Sequence, residues 1–229
     1  METPVIRLTN ASVIFEIRKG PFAHEHFPAL SDINLDVMAG ETLGVIGDNG
    51  SGKSTLLRLM AGIYQPDAGT IERATSQVSL LSLALGFDPK LSGFDNAILS
   101  SMLLGASRKE ALGKLNQIIE FSELQEFIHK QVRTYSSGMR ARLGFSVALT
   151  MNTDVLLIDE AMAVGDAGFK KKCETAIMEK LSSSLTVVLV SHSTAPLKKL
   201  CDRVICLNHG RIVAEGKPEV VLAQYEQLK

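Results

Sequence analysis

Residues 42–46 form a compact apolar run, residues 53–61 show helical spacing, and Gly47-Asp48-Asn49-Gly50-Ser51-Gly52-Lys53-Ser54 carries one into the other. A glycine, four free positions, then Gly-Lys and a hydroxyl residue constrain this chain more than any other stretch. The pattern demands a strand, a tight loop and a helix in that order. Gly47, Gly50 and Gly52 allow backbone conformations and close approaches that a Cβ would block. Successive N–H groups then point inward, and the helix opening near Lys53 adds its positive dipole end. Such a loop cradles phosphates: Lys53 sets an ammonium against the β- and γ-phosphates, and the Ser54 hydroxyl can ligate Mg²⁺. The competing reading is a plain Gly-rich turn, which the flanking strand and helix disfavour.

A second constellation lies downstream. Residues 155–158 are apolar and end in Asp159-Glu160. Strand alternation sends these two carboxylates in different directions at the carboxyl end of a sheet, where open α/β folds bind ligands. Asp159 can hold Mg²⁺ through water, and Glu160 can polarise an attacking water. Acids at this place also mark a strand's simple exit to solvent; a phosphate loop in the same chain favours the functional reading. His192 follows the apolar run 186–190 in Val-Ser-His-Ser. Alone, such a histidine is usually structural, but with the other motifs it reads as a γ-phosphate contact. His24-Glu25-His26 offers no third partner and reads as a solvated loop rather than a metal site.

The hydrophobic pattern organises the rest. Short strands are expected at 5–8, 12–17, 33–37 and 70–72, with an irregular stretch over 18–28. From about 83 to 152 the strand pattern gives way to helical spacing at 96–104, 109–120 and 138–151. Strands return at 155–158, 186–190, 204–207 and 212–214, and Pro218 suits the first turn of a terminal helix. Buried strands alternating with helices predict a parallel α/β core with both faces covered. The expected organisation is one domain, with a core of 1–82 and 153–229 and a helical insertion over 83–152.

Charge excludes one class of function. With 24 Lys+Arg against 25 Asp+Glu the net charge is −1, and Lys170-Lys171-Lys172 is the only basic cluster. Phosphate-backbone affinity needs more than that, so no nucleic-acid partner is expected. Three cysteines without a CxxC pair read as free thiols in a reducing compartment. The longest stretch free of Asp, Glu, Lys and Arg, 181–197, carries five Ser and a Pro and is too short in its apolar part to span a bilayer.

Tyr135-Ser136-Ser137-Gly138-Met139-Arg140 sits just ahead of the acidic strand. The order of phosphate loop, helical stretch, signature, acidic strand and histidine resembles the ATP-binding cassette (ABC) ATPases over nearly the whole chain. The resemblance implies an α/β fold, a P-loop NTPase core with an antiparallel β portion and an inserted α-helical subdomain. It implies ATP and Mg²⁺ as ligands, and ATP sites formed between two copies packed head to tail. Each site would pair Gly47 to Thr55 of one copy with Ser136, Ser137 and Gly138 of the other. The signature opens a helix, whose N–H groups can grip a γ-phosphate. By the same resemblance Glu160 is the catalytic base, His192 the γ-phosphate sensor and Asp166 the residue coupling the two sites. An aromatic residue upstream of the loop stacks on adenine: Phe15 fits best by register, with Phe22 and Phe27 competing.

Three departures narrow the group. The signature reads Tyr-Ser-Ser-Gly-Met, Ala163-Val164-Gly165-Asp166 replaces the usual Ser-Ala-Leu-Asp, and no Gln occurs between Val78 and Asp95, where the family places its transmembrane-coupling Gln. With Leu85-Gly86-Phe87-Asp88-Pro89-Lys90-Leu91-Ser92-Gly93, these features look like the ATPases of bacterial polysaccharide exporters (O-antigen, capsule or teichoic acid). The expected setting is a homodimer on the cytoplasmic face of the inner membrane, docked on a separate permease that makes most contact with the polymer. The chain ends directly after its terminal helix, so the carbohydrate-binding domain of some such exporters is not expected. Alternatives are an ABC motor with another cargo, or a soluble ABC ATPase acting on DNA or ribosomes. The short separation of Lys53 from Asp159 leaves no room for the long coiled coil that marks the latter.

Overall fold

The structure is a computed structural model and describes residues 3–18, 24–75, 77–81, 86–151, 153–159, 166–181 and 185–228. The chain gathers into two compact units, residues 1–75 with 184–229 and residues 76–183.

In the first unit, β1 (Pro4–Arg18) pairs antiparallel with β2 (His24–Met38) and with β4 (Ala68–Arg73). The irregular stretch expected over 18–28 is corrected here: residues 24–28 are strand, paired through Phe15↔Phe27, Glu16↔His26, Ile17↔Glu25 and Arg18↔His24. His24-Glu25-His26 is therefore strand, not loop. Residues 24–28 have no strong strand pattern of their own; they are strand because β1 satisfies their ladder hydrogen bonds. Residues 19–23 lie outside the described residues.

The second sheet of this unit is built around β3 (Thr42–Ile46), which lies parallel to β7 (Thr186–Val190) on one side and β8 (Arg203–Asn208) on the other. β9 (Arg211–Gly216) adds antiparallel to β8. β3 is buried at every position, with Leu43, Val45 and Ile46 at 0% exposure. Burying each such side chain stabilises by about 1.5–3 kcal/mol, so the strand that feeds the glycine loop is firmly held in the sheet. α1 (Lys53–Met60) follows it; α6 (Thr194–Leu200) and α7 (Pro218–Leu228) complete the unit. α7 buries Val221, Leu222 and Tyr225.

In the second unit, β5 (Val78–Leu81) runs parallel to β6 (Val155–Asp159). α2 (Gly93–Leu103), α3 (Arg108–Ser122) and α4 (Ser137–Thr150) share a core of Ala97, Leu115, Ile118, Leu143 and Val147. Ser92 caps α2 through the Asp95 N–H, and Ser107 with Glu110 forms a complete capping box on α3. α5 (Ala167–Leu181) packs Phe169 edge-on against Phe121 and Phe145, with ring centroids 5.9 and 6.2 Å away. Strand β5 and helices α5 and α6 were not expected from periodicity. Among the described residues no helix is long and apolar enough to cross a membrane.

Candidate functional site

The loop after β3 owes its shape to what surrounds its glycines. A Cβ on Gly47 would lie 2.2 Å from the Leu207 carbonyl oxygen on β8. Gly52 has φ +106°, and a Cβ there would meet the Ala29 carbonyl oxygen at 2.6 Å. Both positions therefore accept only glycine without a backbone shift. Within the loop the Ser51 N–H donates to the Asp48 carbonyl (3.1 Å), and the Gly210 N–H donates to the Ser51 carbonyl (2.9 Å). The β8–β9 turn thus braces the loop from behind.

Lys53 is 7% exposed, and its Nζ donates to the Gly47 and Asp48 carbonyls, 2.7 Å each. The ammonium is drawn back over its own loop at the head of α1. No acidic residue sits in the first turn of α1, so no side chain of that turn offsets its positive dipole end. The Ser51 hydroxyl is buried with no hydrogen-bond partner among the described residues. A buried cation, an unpartnered hydroxyl and a backbone path that excludes Cβ atoms form a donor set suited to an anion. Asp48, Asn49 and Gly50 face solvent; Ser54 is half-buried and Thr55 buried.

His192 lies in the same unit. Val45 of β3 pairs with Val190 of β7, and the Ser191 N–H donates to the Val45 carbonyl (3.3 Å). Parallel pairing thus places the half-buried His192 and the glycine loop at the same carboxyl edge of the sheet. Phe15 is half-buried on β1, edge-on to Tyr64 with ring centroids 5.6 Å apart, while its strand neighbour Phe27 is exposed. Phe22 lies outside the described residues.

The second unit carries the remaining predicted residues. Asp159 is the half-buried last residue of β6; Glu160 lies outside the described residues. Ser136 caps α4, its Oγ accepting from the Met139 N–H at 3.1 Å, and Ser136 and Ser137 are exposed. A Cβ on Gly138 would meet only the Ser136 Oγ, at 3.7 Å. Asp166 is held from two sides: Oδ1 accepts from the Phe169 N–H (3.0 Å) and Oδ2 from Arg142 on α4. The bond from the Phe169 amide, with the Arg142 charge, keeps this carboxyl below the usual aspartate range.

Sequence reasoning missed Tyr225. It is 4% exposed on α7 and donates from its hydroxyl to Asp48 Oδ1 at 2.8 Å. Burial and the Asp48 carboxylate push the phenol up to about 12, so it stays protonated and donating. No short-range pattern could have revealed a pair 177 positions apart.

Comparison with known proteins adds a second line of support. The ABC transporter family profile matches residues 30–163. The chain is 40% identical to the ABC transporter protein AbcA of Aeromonas salmonicida, over 100% of this chain and 78% of that protein. This chain belongs to the ABC transporter family. Other family members similar to it include the O-antigen export system ATP-binding protein RfbB of Klebsiella pneumoniae, 42% identical over 93% of this chain and 85% of that one. The teichoic acids export ATP-binding protein TagH of Staphylococcus haemolyticus is 41% identical over 88% and 76%. Among solved structures, a dimeric bacterial ABC transporter cassette superposes with a TM-score of 0.77 at 22% identity, covering 93% of this chain and 98% of that one. A dimeric, post-hydrolysis ATP-binding cassette bound to ADP and Pi gives 0.76 at 21%, with the same coverage. The ABC fold expected from the sequence is thereby established.

Proposed function

We propose that this chain is the ATP-binding and ATP-hydrolysing subunit of an ABC exporter that moves a bacterial surface polysaccharide across the inner membrane. The observation that carries the ATPase reading is the loop of Gly47 to Lys53, whose buried ammonium and Cβ-excluding backbone suit a triphosphate. The names of RfbB and TagH support the cargo, O-antigen in one case and teichoic acid in the other.

Lys53 and the N–H groups of the loop and of the first turn of α1 bind the phosphates. Ser54 and, through water, Asp159 would hold Mg²⁺, which supplies charge neutralisation on the β- and γ-phosphates. Glu160 takes a proton from the attacking water, and His192 orients the γ-phosphate. Phe15 stacks on the adenine. Ser136, Ser137 and Gly138, at the exposed start of α4, meet the γ-phosphate bound by a second copy, and Asp166 couples the two sites. ATP thus joins two subunits and hydrolysis parts them, and a membrane permease carrying most of the polymer contacts converts that cycle into export. In this arrangement residues 1–82 and 153–229 form the nucleotide-binding core, and 83–152 present the signature.

The test is Glu160→Gln. Turnover should fall by at least a hundredfold while ATP still drives dimerisation, read by phosphate release and sedimentation. Wild-type hydrolysis in this variant removes Glu160 from the base's role. Deleting the protein should make the glycan accumulate inside the cell; accumulation of a different compound would replace polysaccharide as the cargo.

A further inference from the structure

Position 48 is one of the four free positions of the phosphate-loop pattern, so the pattern does not explain an aspartate there. A carboxylate next to a site for a triphosphate is electrostatically adverse, so where it is held matters. The structure shows what holds it: the Tyr225 hydroxyl donates to Asp48 Oδ1 at 2.8 Å, from a side chain that is 4% exposed. The backbone of the same residue is the loop's internal anchor. The Asp48 carbonyl accepts from Lys53 Nζ at 2.7 Å and from the Ser51 N–H at 3.1 Å. One residue therefore connects the terminal helix to the phosphate-binding lysine, through its side chain on one side and its carbonyl on the other.

α7 is a firm support for such a link. Val221, Leu222 and Tyr225 are 1%, 4% and 4% exposed, and the helix packs on β8, β9 and β3, the strands that also border the loop. Cys206 on β8 lies in the same nest: burial, with the Asp48 charge, pushes its thiol up. The loop is thus gripped by β8 behind Gly47 and by α7 at Asp48.

We infer that Tyr225 is a positioning residue for the phosphate loop: its hydroxyl fixes Asp48, and through Asp48 the loop and Lys53, so that nucleotide binding and the order of α7 are coupled. The inference rests on the ATPase reading above. By linkage, a nucleotide that selects the fixed loop also stabilises the helix that fixes it, and loosening the helix weakens the nucleotide.

The experiment measures the dissociation constant of Mg·ATP for the full chain by calorimetry, together with amide exchange along α7. Tyr225→Phe keeps the ring and removes only the hydroxyl. It should weaken ATP binding three- to tenfold, and the slowing of α7 exchange by ATP in the wild type should shrink or vanish. In an Asp48→Ala background the same hydroxyl deletion should change affinity less than twofold, because its acceptor is gone. That comparison holds whether Asp48→Ala itself strengthens or weakens ATP. Wild-type affinity in Tyr225→Phe overturns the inference, as does an undiminished effect of the deletion in the Asp48→Ala background. If the wild-type chain itself fails to bind ATP, the ATPase reading falls and takes this coupling with it. Normal wild-type binding with an unaffected Tyr225→Phe sinks the coupling alone.

Discussion

Gly52 shows how one atom can decide a binding loop. Its φ of +106° is open to glycine and strained for any other residue, and the Ala29 carbonyl oxygen occupies the place a Cβ would take. Gly52→Ala should therefore destabilise the protein by about 1–3 kcal/mol from backbone strain, with the 2.6 Å contact adding to it. Urea unfolding would show this as a lower midpoint at unchanged slope. Wild-type stability would mean the loop can move away from β2 without cost. Lys53 illustrates the opposite economy: its ammonium is satisfied by two carbonyls of its own loop, so it is held in place at the head of α1 by local bonds. The pattern of glycines, lysine and serine was legible because its spacing is local, although the walls that require glycine at 47 and 52, Leu207 and Ala29, come from distant strands.

At the scale of elements, α3 carries an acid at each end, and the two are held differently. Glu110 completes the capping box, where the Ser107 hydroxyl and amide hold its carboxyl below the usual glutamate range. Glu123, in the left-handed conformation at the other end, bonds Lys172 of α5 and Arg142 of α4. The bond from Lys172 is the main reason its carboxyl is also lowered. Folded-state values below the unfolded value of about 4.3 mean that the stabilisation is complete above that pH. It is lost as pH falls further, through the lowered folded values. Stability against denaturant should thus fall between pH 5 and pH 3, and Glu123→Gln should flatten part of that fall while lowering stability at pH 7. An identical pH profile in the variant would show that the bridge to α4 and α5 contributes nothing in solution. The capping box joins two residues three positions apart, whereas the cations of the bridge stand on other helices.

For the whole molecule, the proposed machine needs a second copy at the start of α4. Ser136 and Ser137 are exposed, and a Cβ on Gly138 meets only one hydroxyl, at van der Waals distance. Gly138→Arg should accordingly fold normally, keep ATP affinity at its own phosphate loop within about twofold, and fail to dimerise with ATP. Sedimentation with and without nucleotide would read this directly, best in the Glu160→Gln background where hydrolysis does not part the subunits. ATP-driven dimers of undiminished strength would mean that the signature helix does not face a partner's nucleotide.

The sequence alone was sufficient where partners are neighbours along the chain. β3, the glycine loop and α1 emerge from one continuous run, and β7 and α7 follow from apolar periodicity and a proline at the first helical turn. Family membership was legible for the same reason, since its motifs are short and ordered. Tertiary structure alone decided the rest. Residues 24–28 become strand only because residues 14–18 lie beside them. The four residues of β5 show no period long enough to read and are strand because β6 pairs with them. The Lys170-Lys171-Lys172 run hides the buried stripe of Phe169, Cys173 and Ile177 that makes α5 a core helix. Tyr225 reads as one more core residue until the fold brings its hydroxyl to Asp48. Local chemistry can be written into a few consecutive residues, whereas a contact between distant ones exists only after the backbone has placed both.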